Sequence, residues 1–279
     1  TRNYSAYEFK DLMKTNGMKL SFSSQKDKIE GVFQIISSQL SEGIKLFYEA
    51  LNHPRFNKND IEKIKKQITA SLKIDKSDIS TLSSDKFNEN FFNKHSFSRN
   101  IKGSVNSIKN INREDLISFH KKVFQKKNLV IGVAGNIKPN EIKKVINVVF
   151  SEMADSNEIP KLNEFSSLAK GQKIYNVKTP QTSVLFGHPG LARRSNDYFA
   201  LRIANYILGG GGFQSRLYKN IREKKGLVYS VYSYLLSYEN DGVIIGGFQT
   251  RNKSVYETIE NVKNEWRRLK KSGITKIEL

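Results

Sequence analysis

Residues 208–233 read LGGGGFQSRLYKNIREKKGLVYSVYS. Four glycines, Gly209 to Gly212, free the backbone before a short amphipathic helix on which Leu217, Tyr218 and Ile221 recur at helical spacing. Lys224 and Lys225 fall in its last turn, where cations complement the helix dipole. Gly226 supplies the left-handed residue that ends the helix, and LVYSVYSYLL beyond it, rich in β-branched and aromatic residues, reads as a strand. Arg222 lies four residues before Gly226, about 6 Å back along a helix axis. Tyr229 lies three residues after it, about 10 Å along a strand. If the strand doubles back beside its helix, a guanidinium fork and a phenolic hydroxyl reach one point, a pairing suited to a polarised carbonyl oxygen. The plainer alternative is an Arg satisfying helix C-terminal carbonyls and a Tyr filling a sheet face.

Outward from this stretch the pattern alternates helices with short strands. Ser5 and Glu8 form a capping box for a helix through Phe9, Leu12 and Met13 that Gly17 ends. MKLSFSS and IEGVFQIIS read as a hairpin around QKDK. Helices are expected over SQLSEGIKLFYEALN, from Asp60 to Ile74, near Ser83 to Asn93, after Asn112 and after Pro139, with NLVIGVAG as a strand. The periodicity fades around 153–172, which reads as a linker between a first α+β domain (1–152) and a second (173–279). The second begins with strands IYNV and TSVLFGHP, then a helix from Asn196 to Tyr206. After the organising stretch come the strand DGVIIGGFQ and a helix from Val255 to Leu269. SGITKIEL reads as the start of a further helix, and both ends read as trimmed.

The two halves repeat one order: helix, glycine, strand, turn, strand, longer helix. Aligning Gly17 with Gly226 places Met13 opposite Arg222 and Leu20 opposite Tyr229. The first copy is apolar where the second is polar, which favours a functional reading of that pair.

The absence of cysteine excludes disulfides, thiol nucleophiles and Cys-zinc sites. It fits an exported protein as well as a cytosolic one, with the bacterial periplasm the favoured compartment. No apolar run is long enough for a membrane helix. The net charge of +20 raises nucleic-acid binding. The lysines, however, are scattered in twos and threes with no nucleic-acid motif beside them, so the charge reads as a solvated surface.

The 208–233 stretch resembles the second domain of the insulinase, pitrilysin and mitochondrial processing peptidase superfamily of zinc peptidases, which carry a similar run of LGGG, SRL, RE, GL and Y. YSAYEFKDLMKTNGMKLSFSSQKDKIEGVF and NINREDLISFHKKVFQKKNLVIGVAGNI are similar to further parts of those proteins, so the resemblance spans essentially the whole chain. It implies two similar α+β domains per half, each an antiparallel or mixed sheet with helices on one face, and two halves closing around unfolded peptide. It also implies an H-x-x-E-H zinc motif in the active half, plus a distant Glu as third ligand. This sequence contains no such motif, and His53, His95, His120 and His188 are isolated. Ser71 stands where the third ligand is expected and Ile64 replaces another acidic residue, with Glu62 too far along the helix to substitute. A serine hydroxyl is a poor zinc ligand.

The resemblance therefore implies a non-catalytic, substrate-binding subunit with no metal of its own, dimerising with a zinc-bearing homologous subunit. Arg222 would bind a substrate carbonyl, Tyr229 would stabilise the oxyanion, and Gly209, Gly210, Gly211 and Gly212 would let backbone approach peptide or partner. Three alternatives stand beside it: a truncated active zinc peptidase beginning just past its motif, a structural relative without peptidase function, and a basic nucleic-acid binder.

Overall fold

Ser5 accepts the Glu8 amide at 3.2 Å while the Glu8 carboxylate accepts the Ser5 amide at 2.7 Å, the expected capping box. In the computed structural model, which describes residues 1–156, 162–165 and 168–279, this box opens α1 (Ala6–Thr15). The expected linker falls partly outside the described residues. Gly17, at φ +59°, turns the chain into β1 (Lys19–Ser24), which pairs antiparallel with β2 (Ile29–Gln34). The helices α2 (Leu40–Asn52), α3 (Lys58–Asp75), α4 (Ile79–Phe91), α5 (Val105–Asn110), α6 (Arg113–Val123) and α7 (Pro139–Val149) follow. Then come β3 (Gln181–Pro189), α8 (Tyr198–Asn205), β4 (Val228–Ser237), β5 (Gly242–Arg251) and α9 (Val255–Ser272).

Contacts divide the chain into two units, Thr1–Leu72 with Ile101–Leu162 and Lys73–Asn100 with Asn163–Leu279. In the first unit Leu51, Val149 and Met153 are the buried centre, flanked by Ile44, Phe47 and Val145 along α2 and α7. Asn52 ties the two helices by donating to the Val149 carbonyl at 2.9 Å.

The second unit is a sheet in the order β3-β5-β4, all antiparallel. Side chains alternate across a strand, so β5 serves both faces. Phe248 packs with Leu208, Leu217, Ile221, Val231 and Val262, the core formed by the organising stretch and α9. Val243 and Ile245 meet Phe87, Phe91, Phe92 and Phe97 instead. This aromatic cluster joins residues 73–100 to the carboxy-terminal unit, whereas the sequence groups them with 1–152. Burying four Phe rings on β5 is a non-local contact that periodicity does not reveal.

Two expected strands are absent. NLVIGVAG and IYNV have no ladder partner among the described residues, and Val130 is left 95% exposed. A β-rich sequence forms a strand only where a neighbour accepts its backbone hydrogen bonds. SGITKIEL forms a turn rather than a helix.

The repeat is visible in the backbone. Gly226, at φ +61°, matches Gly17, and each glycine precedes a hairpin, then a three-residue 3₁₀ turn (Ser37–Gln39 or Asn252–Ser254), then a long helix. The copies differ before the glycine. α1 is α-helical, whereas Tyr218–Glu223 is π-helical, and a second π-helical segment, Tyr206–Gly210, follows α8. Such segments are rare in proteins and concentrate at functional sites.

Candidate functional site

The two π-helical segments bracket the glycines, whose roles separate. A Cβ on Gly209 would lie 2.5 Å from Ser233 Oγ and 2.8 Å from Leu217 Cδ1. Glycine is needed there so that the helix end can lie against β4. The contact is sealed by buried Asn205, which donates to the Ser233 carbonyl at 3.1 Å and accepts from its hydroxyl at 2.8 Å. Gly210 is partly buried in the same contact, and Gly211 lies beneath the Tyr206 ring. Gly212 alone is open: it takes φ +56°, and a Cβ there would meet nothing within 4 Å.

Beyond the glycines, Leu217 and Ile221 are fully buried and fix the second π-helical segment on the sheet. Its end is closed by backbone: Gly226 N–H donates to the Arg222 carbonyl at 2.9 Å and Leu227 N–H to the Ile221 carbonyl at 3.2 Å. The Arg222 side chain is therefore not required for those carbonyls. It lies instead between two rings, its Cζ 4.6 Å from the Tyr218 centroid and 5.3 Å from that of Tyr229.

Tyr229 does not fill a sheet face. It sits in a bulge where pairing slips from Val228↔Thr250 to Val231↔Phe248, and it is 85% exposed. Bulges re-aim side chains in this way. Stacking engages the faces of a guanidinium and leaves its in-plane N–H donors available. Among the described residues, neither those donors nor the Tyr229 hydroxyl has a hydrogen-bond or ion-pair partner.

The structure thus brings Arg222 and Tyr229 together, with Tyr218 as a buried platform that its sequence position marked only as a core ring. Phe213 was also passed over; it meets the Tyr218 ring edge-on at 4.8 Å. The signal for both was available in the aromatic residues flanking the glycines. The ion pair that anchors the segment was not: buried Arg216 donates to both Glu278 oxygens, at 2.6 and 2.7 Å, and to the Gly273 carbonyl at 2.8 Å. It holds the Glu278 carboxyl well below the usual carboxylate range, helped by the Thr275 amide.

The position expected for a third zinc ligand is poorly suited to a metal. Ser71, at the position expected for the third ligand, accepts a hydrogen bond from Lys102 Nζ at 2.9 Å. An ammonium there disfavours a divalent cation, and Glu62 is turned to Lys65 at 3.1 Å. No group of three His, Asp or Glu side chains converges among the described residues. The histidines have other partners: His53 meets Tyr48 and Glu152, His95 the Asn163 carbonyl, His120 the Leu51 carbonyl and His188 the Pro189 carbonyl. Burial lowers the His120 pKa.

These features define an α+β chain built on a repeated helix–glycine–hairpin unit. Residues 110–279 match the family model described as the peptidase M16 inactive domain. The chain belongs to that family. It is 26% identical over 280 residues to a non-peptidase homolog of Helicobacter pylori, covering all of this chain and 65% of that protein. It is 23% identical over 286 residues to an uncharacterized zinc protease of Streptomyces coelicolor, again along its whole length, and spans 62% of that relative. The chain thus spans about two thirds of the length of these relatives. Among solved structures, a peptidase M16 inactive domain from Pseudomonas fluorescens superposes with TM-score 0.94 at 24% identity, covering 99% of this chain and 68% of that one. A protease from H. pylori gives TM-score 0.84 at 18% identity, covering 100% and 68%. No helix among the described residues is long and apolar enough to cross a membrane.

Proposed function

We propose that this chain is the non-catalytic, peptide-binding subunit of a two-chain zinc endopeptidase, working with a homologous subunit that holds the metal and the general base. One observation carries the reading: a guanidinium clamped between Tyr218 and Tyr229, its donors unpaired, beside an exposed phenol. Membership of an inactive-domain family and the Ser71–Lys102 contact support it.

In this reading Arg222 donates in-plane N–H groups to a carbonyl of extended peptide. The Tyr229 hydroxyl donates to the oxygen that gains negative charge as the neighbouring carbonyl is attacked. Tyr218 keeps the guanidinium from swinging into solvent, so the donors are oriented before substrate arrives. One such donor contributes about 2.7–4 kcal/mol of transition-state stabilisation.

The test is reconstitution. The chain is co-purified with its zinc-bearing partner, and peptidase turnover is measured for wild type, Arg222→Ala and Tyr229→Phe. Each variant is expected to lower kcat by about 10²–10³. Turnover unchanged by both substitutions, or full turnover by this chain alone, overturns the assignment.

A further inference from the structure

The net charge of +20 has no role in the Arg222–Tyr229 pairing itself, yet it is dense where that pairing is made. Residues 216–225 read RLYKNIREKK, five cations in ten residues against 47 in 279 for the whole chain. Two of the five are matched: Arg216 by Glu278 at 2.6 Å, and Lys225 by Glu257 at 4.0 Å. Lys219 and Lys224 are exposed, and among the described residues their ammoniums have no hydrogen-bond or ion-pair partner. The π turn brings these two together. The Lys224 amide donates to the Lys219 carbonyl at 3.1 Å, which sets one residue a turn above the other. Like charges one turn apart repel. A helix C-terminus offsets only about half a charge, and Glu223 is the sole acid in the segment. Beyond Tyr229 the strand continues SVYSYLLSY, with no carboxylate to face the cations.

We infer that the site selects acidic peptide, Lys219 and Lys224 taking side-chain carboxylates of the segment whose backbone Arg222 holds. This rests on the peptide-binding reading above. Lys219 is three residues from Arg222 and Lys224 two, so each is within about 5 Å of it along the segment axis. That is inside the screening length of about 8 Å at physiological ionic strength. In extended peptide, side chains on one face recur about every 7 Å, so a carbonyl at Arg222 leaves a flanking carboxylate within reach of a lysine stem. Peptide is favoured over nucleic acid because duplex binders typically neutralise about 6–10 phosphates, whereas this segment offers two unpartnered lysines and one arginine. Lys219 and Lys224 are thus specificity residues, while Arg222 binds whatever the sequence.

The probe is a set of fluorescein-labelled, Gly/Ser-rich decapeptides differing only in a central Glu-Glu, Ser-Ser or Lys-Lys pair, titrated by fluorescence anisotropy against the purified 279-residue chain. At about 50 mM salt the Glu-Glu peptide is expected to bind about tenfold tighter than the Lys-Lys peptide, with Ser-Ser between, and the gap should close by about 500 mM. Lys219→Glu with Lys224→Glu, both at exposed positions, should erase that order. Lys270→Glu with Lys271→Glu changes the net charge equally, but at the far end of α9, about 20 Å along the helix from Glu257, and should retain it. Arg222→Ala should weaken all three peptides alike. A missing acidic preference, or one that survives the first pair of substitutions or is lost with the second, overturns the inference and leaves the peptide reading standing. A labelled DNA duplex of about 20 base pairs that binds tighter than the Glu-Glu peptide at the lower salt, and loses that affinity in Lys219→Glu/Lys224→Glu, overturns it in favour of a nucleic-acid patch. Absence of binding by every peptide overturns both the inference and the peptide reading.

Discussion

Replacing Glu278 by Gln removes the carboxylate hydrogen-bonded to a buried cation. Arg216 is 5% exposed, its Nη1 has no hydrogen-bond partner among the described residues, and without Glu278 its hydrogen bonds reduce to the Gly273 carbonyl and a neutral amide, with only the more distant Glu265 charge beside it. Breaking one side of a buried ion pair costs about 3–5 kcal/mol. Glu278 keeps a quarter of its side chain in solvent, so water can reach the vacated end and the lower limit, about 3 kcal/mol, is expected. Trp266 is the sole tryptophan and packs against the core of the same unit, so its fluorescence during urea unfolding reports the loss. Acid supplies an independent check. The folded-state pKa of Glu278 is depressed below its ordinary 4.5, so its contribution is complete above that value and is lost as pH falls below it. Wild type and Glu278→Gln should therefore converge on acidification. A difference under about 1 kcal/mol at neutral pH, the value typical of an exposed pair, would refute the reasoning, as would a gap that widens in acid.

Gly209→Ala should destabilise the second unit by about 1–3 kcal/mol through overpacking against Ser233 and Leu217, whereas Gly212→Ala meets open space and costs only about 1 kcal/mol of left-handed strain; thermal denaturation of the two variants separates the roles. Burial depresses the folded-state pKa of His120, so the unfolded chain takes up its proton first as pH falls below 6.5. First-unit stability should then decline as the pH falls below 6.5 in wild type and less in His120→Gln, measured by urea midpoints at each pH. Dialysis of the chain against zinc, followed by metal analysis, should show well under one equivalent bound; a full equivalent would overturn the interpretation of Ser71 and Lys102.

Local chemistry made much of this legible. The Ser5–Glu8 box, the left-handed Gly17 and Gly226 and the helix-then-hairpin order depend on neighbours within a few residues, and the structure shows each. The meeting of Arg222 and Tyr229 was legible for the same reason, since one glycine bend joins them. What stayed hidden was non-local or a matter of register. The Phe87–Phe97 cluster packs on β5 more than a hundred residues away, and Glu278 reaches Arg216 across 62 residues. Val130 to Val133 carries strand-forming residues but finds no ladder among the described residues. Leu217 and Ile221 are spaced as an α-helix would have them, so the wider π turn left no trace in the apolar pattern.

That wider turn has a consequence for how the chain can change. A π-helical segment holds a surplus residue relative to the α-helix around it. Losing one residue near Lys219 or Asn220 would let Tyr218–Glu223 tighten to ordinary pitch. The turns on either side would keep their register, because the π turn already absorbs the extra residue, and Leu217 and the strand beyond Gly226 would keep their seats. The segment is thus a place where the chain can shorten by one residue without rebuilding the sheet.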